Sequence, residues 1–142
     1  MNKIFTLRFV LVLGALTSIS VGADGSVWGL NAASQIYRFN PSTNGFQQVP
    51  GALTSISVGA DSSVWGLNAA SQIYRFNSST NGFQQVPGGL TSISVGNSSA
   101  VWGLNAASQI YRFNPSTNGF EEVPGALAHI SVGADGSVWG IN

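Results

Sequence analysis

Apolar residues along the chain gather in short runs where large side chains alternate with small or polar ones, and the runs return every 37 residues. In the segment Gly14–Pro50 there are four such runs: Leu16–Val21, Val27–Asn31, Ile36–Asn40 and Phe46–Val49. They are rich in Val, Ile, Phe, Tyr and Trp, which fit a pleated, half-buried surface, and they predict four β-strands. Alternation puts Trp28 and Leu30 on one face of the second strand and Val27 and Gly29 on the other. Gly29 admits a neighbouring backbone or ring at close range. Turn-forming residues separate the runs: Ala23-Asp24-Gly25-Ser26, the less regular Asn31-Ala32-Ala33-Ser34-Gln35, and Pro41-Ser42-Thr43-Asn44-Gly45, whose Asn-Gly readily supplies positive φ. Pro50-Gly51 predicts a break between units. No stretch carries a sustained helical period.

The unit recurs as 51–87 with two changes, Gly25 to Ser62 and Pro41 to Ser78. It recurs again as 88–124 with seven changes relative to the second copy, and a fourth copy runs only from 125 to 142. Four strands per unit at a period of about 40 residues is the pattern of a β-propeller blade, a small twisted sheet that buries both faces against its neighbours. A solenoid of stacked β-turns is the rival, although its rungs are usually shorter. The expectation is an all-β propeller of three full repeats plus one partial, composite blade.

Ile-Ser-Val-Gly in the first strand (Ile19–Gly22), Val-Trp-Gly-x-Asn in the second (Val27–Asn31) and Ile-Tyr-Arg in the third (Ile36–Arg38) recur in the next two copies. This pattern resembles the tectonin repeat of tectonin-type β-propeller lectins, over residues 14–142. The resemblance implies a propeller, typically six-bladed, that binds glycans, including methylated sugars and bacterial surface polysaccharides. The chain departs from the family in having too few repeats for six blades. It also has Phe46, Phe83 and Phe120 where the family often has Trp.

Composition narrows the chemistry. Charged residues are 7% of the chain and the net charge is zero. An anionic polymer or acidic membrane surface as main partner needs a basic patch, so nucleic acid is not expected. With no Cys and one His, His129, a disulfide scaffold, a thiolate site and a multi-histidine metal site within the chain are excluded. No apolar run approaches the length of a membrane-spanning helix. Catalysis finds little support. A glycosidase needs two carboxylates facing across a cleft, whereas Glu121 and Glu122 are adjacent in a strand and point to opposite faces. No cofactor or metal is expected, and the chain reads as a non-enzyme.

The repeated residues supply the candidate ligand sites. Trp28, Trp65 and Trp102, with Trp139 in the partial copy, can stack on sugar C–H faces or pack blade on blade. Tyr37, Tyr74 and Tyr111 combine an apolar body with a polar tip. Arg38, Arg75 and Arg112 are almost the only cations, and a guanidinium fork can hydrogen-bond sugar hydroxyls, carboxylates or phosphates. Asn31, Asn68 and Asn105 end the second strand, where an amide either closes a turn or donates to a sugar. Asp24, Asp61 and Asp135 fit Asx-turns, and the third copy has Asn97-Ser98-Ser99-Ala100 there, which weakens any calcium site. The function expected is carbohydrate recognition at equivalent sites between blades. A protein-interaction scaffold and a fragment of a larger propeller are the alternatives.

Residues 1–13 repeat only partly. In one reading, Ile4–Leu13 supply the third and fourth strands of a blade whose first two are Gly125–Asn142, pairing with Val138–Asn142. Such a composite blade closes a four-bladed monomer, or joins two chains into a homodimer by strand exchange. In the other reading, 1–23 is a secretory signal, with Lys3 and Arg8 before the apolar Phe9–Leu16 and a Val21-Gly22-Ala23 cleavage site.

Overall fold

A computed structural model describes residues 15–142. Blade one consists of β1 (Leu16–Val21), β2 (Val27–Asn31), β3 (Gln35–Asn40) and β4 (Gly45–Ala52). Blade two consists of β5 (Ser55–Val58), β6 (Val64–Leu67), β7 (Gln72–Asn77) and β8 (Gly82–Gly89). Blade three consists of β9 (Ser92–Asn97), β10 (Ala100–Leu104), β11 (Gln109–Asn114) and β12 (Gly119–Ala126). A two-stranded sheet, β13 (His129–Val132) and β14 (Val138–Ile141), follows. Each complete blade is an antiparallel meander in sequence order. First strands of successive blades pack on one another, β1 on β5, β5 on β9 and β9 on β13. The architecture is a β-propeller, as the repeat predicts. The expected partner strands of β14, residues 4–13, lie outside the described residues, as does most of the signal-sequence reading.

The turns follow local chemistry. Asp24 Oδ1 accepts from the Ser26 backbone N–H at 3.0 Å and from Ser26 Oγ at 2.7 Å, an Asx-turn. Asn44, Asn81 and Asn118 carry the positive φ of the third-to-fourth strand loop. The Asn31–Gln35 linker is tighter than its sequence suggests, because Asn31 Oδ1 accepts from the N–H groups of Ala33 and Gln35.

One expectation is corrected. Pro50-Gly51 does not end the unit, since β4 continues to Ala52. The pair Ile36↔Val49 is followed by Gln35↔Ala52, so Pro50 and Gly51 form a bulge. Proline tolerates a bulge because no ladder donor is needed there, and Gly51 takes φ 125°, which a side chain resists. The hand-over comes later: Leu53 N–H still donates to Ser34 of blade one, while Thr54 N–H donates to Leu67 of blade two.

The core lies between blades. One cluster joins Trp28, Leu30, Ile36 and Val49 of blade one to Leu53, Val58 and Val64. The next joins Trp65, Leu67, Ile73 and Val86 of blade two to Leu90, Val95, Val101 and Phe113. Trp28 meets Phe76 edge-on at 4.7 Å and Phe83 at 5.9 Å between ring centroids, and Trp65 meets Phe113 and Phe120 at the same distances. Trp102 is only half-buried. Gly66 is fixed by packing, because a Cβ there would lie 2.6 Å from the Ser55 backbone carbonyl oxygen.

Polar contacts stitch the same seams. The N–H groups of Val58, Val95 and Val132 donate to Ser20, Ser57 and Ser94 Oγ of the preceding blade, at 3.2, 3.1 and 3.0 Å. Asp24 Oδ2 accepts from Ser62 Oγ, and Asp61 Oδ2 from the Ser98 N–H at 2.9 Å. Ser62 adopts φ 64° where Gly25 takes 84°, a strained conformation for serine that places its hydroxyl on Asp24. The Ser62 hydroxyl, then Ser26, hold the Asp24 carboxyl at about 2, below its ordinary 3.8. Burial pushes Asp61 up, but hydrogen bonds from Ser63 and Ser98 outweigh it and hold that carboxyl below the usual range.

Two outcomes follow from this packing. Trp65→Ala should destabilise the chain by about 3–5 kcal/mol, the usual cost of emptying a buried aromatic site. Trp102→Ala should cost less, because that ring is half-buried; chemical denaturation of the two variants gives the order, and equal losses would contradict it. The second concerns pH. A depressed carboxylate pKa stabilises the fold above its ordinary value and loses that contribution as pH falls through the folded value. Stability should therefore decline between pH 3.8 and about 2 as Asp24 protonates, and Asp24→Asn should flatten that limb in urea titrations. An unchanged limb in the variant would remove Asp24 from the explanation.

Candidate functional site

Alternation along the third strand divides the candidate residues between two grooves. Arg38 stands opposite Trp28 and Tyr37 opposite Gly29, so the two neighbours point to opposite faces of blade one. The Trp–Arg face of each complete blade looks toward the following blade. The Tyr face looks toward the preceding one, with Tyr74 packed on the Trp28 cluster and Tyr111 on the Trp65 cluster. Each groove therefore combines residues of two repeats: Trp28 and Arg38 with Tyr74, then Trp65 and Arg75 with Tyr111. Tyr37 lies on the open face of blade one, and Arg112 with Trp102 faces the two-stranded sheet.

Each arginine covers the tryptophan of its own blade. The guanidinium carbons of Arg38 and Arg75 lie 5.5 Å from the ring centroids of Trp28 and Trp65, and that of Arg112 lies 5.9 Å from Trp102. Arg75 also lies 5.8 Å from Phe113 of blade three, so it bridges the seam. Cation–π attraction is worth roughly 0.5–1 kcal/mol at exposed sites. A ring-stacked guanidinium keeps its in-plane N–H donors for other partners. Arg38 and Arg112 are exposed and Arg75 is half-buried.

The tryptophans and asparagines play a different part from the arginines. Trp28 and Trp65 are buried under the next blade. The buried Trp65 Nε1 has no hydrogen-bond partner among the described residues. Asn31, Asn68 and Asn105 donate from Nδ2 to Gln35, Gln72 and Gln109 Oε1 at 2.7, 2.8 and 2.8 Å. Their Oδ1 atoms hold the adjacent turn, so these amides fix the hairpin beside the tyrosine.

Sequence reasoning missed the residues opposite the arginines. Gln47 pairs in register with Arg38, Gln84 with Arg75 and Glu121 with Arg112. Arg38, Phe39, Asn40, Pro41 and Gln47 line a recess of about 250 Å³ with mixed polar and apolar walls in blade one. Only the strand register reveals that partnership, although exposed glutamines recurring within a β-strand gave a signal. Among the described residues no three His, Asp or Glu side chains gather as a metal site would need. No described helix is long and apolar enough to cross a membrane.

The comparisons with known proteins agree with the propeller fold. Tectonin-2 of Physarum polycephalum is 58% identical over 31 residues, which are 22% of this chain and 9% of that protein. Among solved structures, one from the mitotic checkpoint complex superposes with a TM-score of 0.68 at 8% identity, over 99% of this chain and 57% of its own. Human WBSCR16 gives 0.68 at 10% identity, over 94% of this chain and 50% of its own. YCF48 bound to D1 peptide gives 0.63 at 11% identity, over 83% and 45%. The chain thus spans about half of these structures, and at such identities the likeness is one of fold. The Tectonin domain family matches residues 2–142, and the chain belongs to that family.

Proposed function

We propose that the chain is a non-catalytic, lectin-type propeller that binds glycans in the grooves between consecutive blades. The observation that carries this reading is the arginine held over tryptophan in every complete blade, beside a tyrosine of the next blade in the two grooves between complete blades. Sugar recognition needs planar donors for hydroxyls and an apolar surface for C–H faces, and this pairing offers both. In the two complete grooves Arg38 and Arg75 donate to the sugar and Tyr74 and Tyr111 form the wall, while Arg112 and Tyr37 offer the same groups on the face toward the two-stranded sheet and on the outer side of blade one. Trp28, Trp65 and Trp102 are the floor under the guanidiniums, and Asn31, Asn68 and Asn105 hold the neighbouring turn. The ligand class is a surface glycan with recurring units, including methylated sugars and bacterial surface polysaccharide. Near-identical grooves then act together, gaining avidity without new contacts.

A protein-interaction propeller is the second reading, favoured by the fold's likeness to YCF48, solved with a peptide bound. A glycan array separates the two. The intact chain should retain on glycans, elute with free sugar, and lose both properties when Arg38, Arg75 and Arg112 are replaced together by Ala. The triple variant should keep its cooperative unfolding, because the arginines sit at the edge of the core. Undiminished glycan binding by that variant would remove the arginines from the site, and no retention of wild type on any glycan would favour the protein partner.

A further inference from the structure

The exposed large apolar side chains among the described residues are four: Ile19 at 57%, Val21 at 59%, Trp139 at 76% and Ile141 at 64%. They fall on two faces. Ile19 and Val21 lie on the face of blade one that no blade covers among the described residues, with Phe39 and Phe46 half-buried on the same face. Trp139 and Ile141 lie on the outer side of the two-stranded sheet, where an apolar recess of about 210 Å³ is lined by Ile130, Trp139 and Ile141, with His129, Ser131 and Gly140. Blade one and this sheet share no contact among the described residues.

The two faces are the separated halves of one interface that the chain makes twice. Trp139 occupies the repeat position of Trp28 and Trp65, whose rings each meet a pair of phenylalanines from the next blade. Phe39 and Phe46 are that pair in blade one, 5.4 Å apart, the spacing of Phe76–Phe83 and Phe113–Phe120. Ile19 and Val21 match Ile56 and Val58, which pack on the Trp28 cluster. Ser131 matches Ser20, Ser57 and Ser94, whose hydroxyls accept from the following blade, and the Val21 N–H matches the donors. One inter-blade contact has no exact counterpart, because Gly25 stands where Ser62 clasps Asp24.

We propose that these faces bind each other between two copies of the chain, Trp139 of each seating on Phe39 and Phe46 of its partner. Curvature sets the number. Nearly all of this chain superposes on 57% of the length of one propeller chain and 94% of it on 50% of the length of another, and on that ground its arc is taken as half a ring. Two arcs related by a two-fold axis make two identical joints and leave no end face open. Formation of this joint does not depend on glycan binding.

Light scattering on the full chain, without sugar, tests this. A species of twice 14.7 kDa is expected. Trp139→Asp removes the plug and Phe46→Asp the socket, and each variant alone should lose the dimer while retaining its β-sheet circular dichroism. Mixed in equal amounts, the two variants retain one intact joint per pair and should associate again. If either variant does not fold, Ile141→Asp and Val21→Asp, on the same two faces, give the same pair of measurements. A wild-type mass of 14.7 kDa, larger open-ended polymers, or a dimer indifferent to these substitutions would overturn the proposal.

Discussion

The packing of a tryptophan from one blade into a phenylalanine pair of the next governs the rest of the structure. A four-stranded antiparallel sheet of this size cannot bury its own faces, so each blade is stable only when a neighbour covers it. Trp28 and Trp65 are the largest side chains buried at these seams. Their burial gradient follows the neighbours: full under a complete blade, partial for Trp102, and nearly absent for Trp139. Identical residues with different exposures show that the environment comes from the adjoining blade.

The same seam explains why the polar residues recur with the apolar ones. Once the tryptophan sets the separation of two blades, Ser20, Ser57 and Ser94 come within reach of the next first strand. The Asp24 and Asp61 turns come within reach of the next turn. The arginine then lies over the ring at the edge of the seam, where a cation keeps contact with water. Stability and candidate binding surface are thus built on the same residue. A substitution at Trp28 or Trp65 would disturb both, whereas the arginines lie at the edge of the core.

Much of this was legible from the sequence. The four-strand unit, its period and its all-β propeller architecture were readable, because alternation and turn chemistry are local and were written three times. The first and second strands of copy one carry the predicted bounds, Leu16–Val21 and Val27–Asn31. Asx-turn chemistry at Asp24 was equally local. The bulge at Pro50-Gly51 was not readable, since a proline–glycine pair signals a break unless the partner strand is present to continue the ladder.

Sequence alone also could not say which repeats share a groove. It places Tyr37 beside Arg38, yet strand alternation sends them to opposite faces, and only blade-on-blade packing joins Arg38 to Tyr74 and Arg75 to Tyr111. It could not rank the tryptophans, because Trp28 and Trp139 stand in the same local motif and differ only in what lies against them. Local patterning decided the strands, turns and repeat length, since those depend on neighbours in the chain. Tertiary structure decided burial and groove membership, since those depend on a blade that the sequence places 37 residues away.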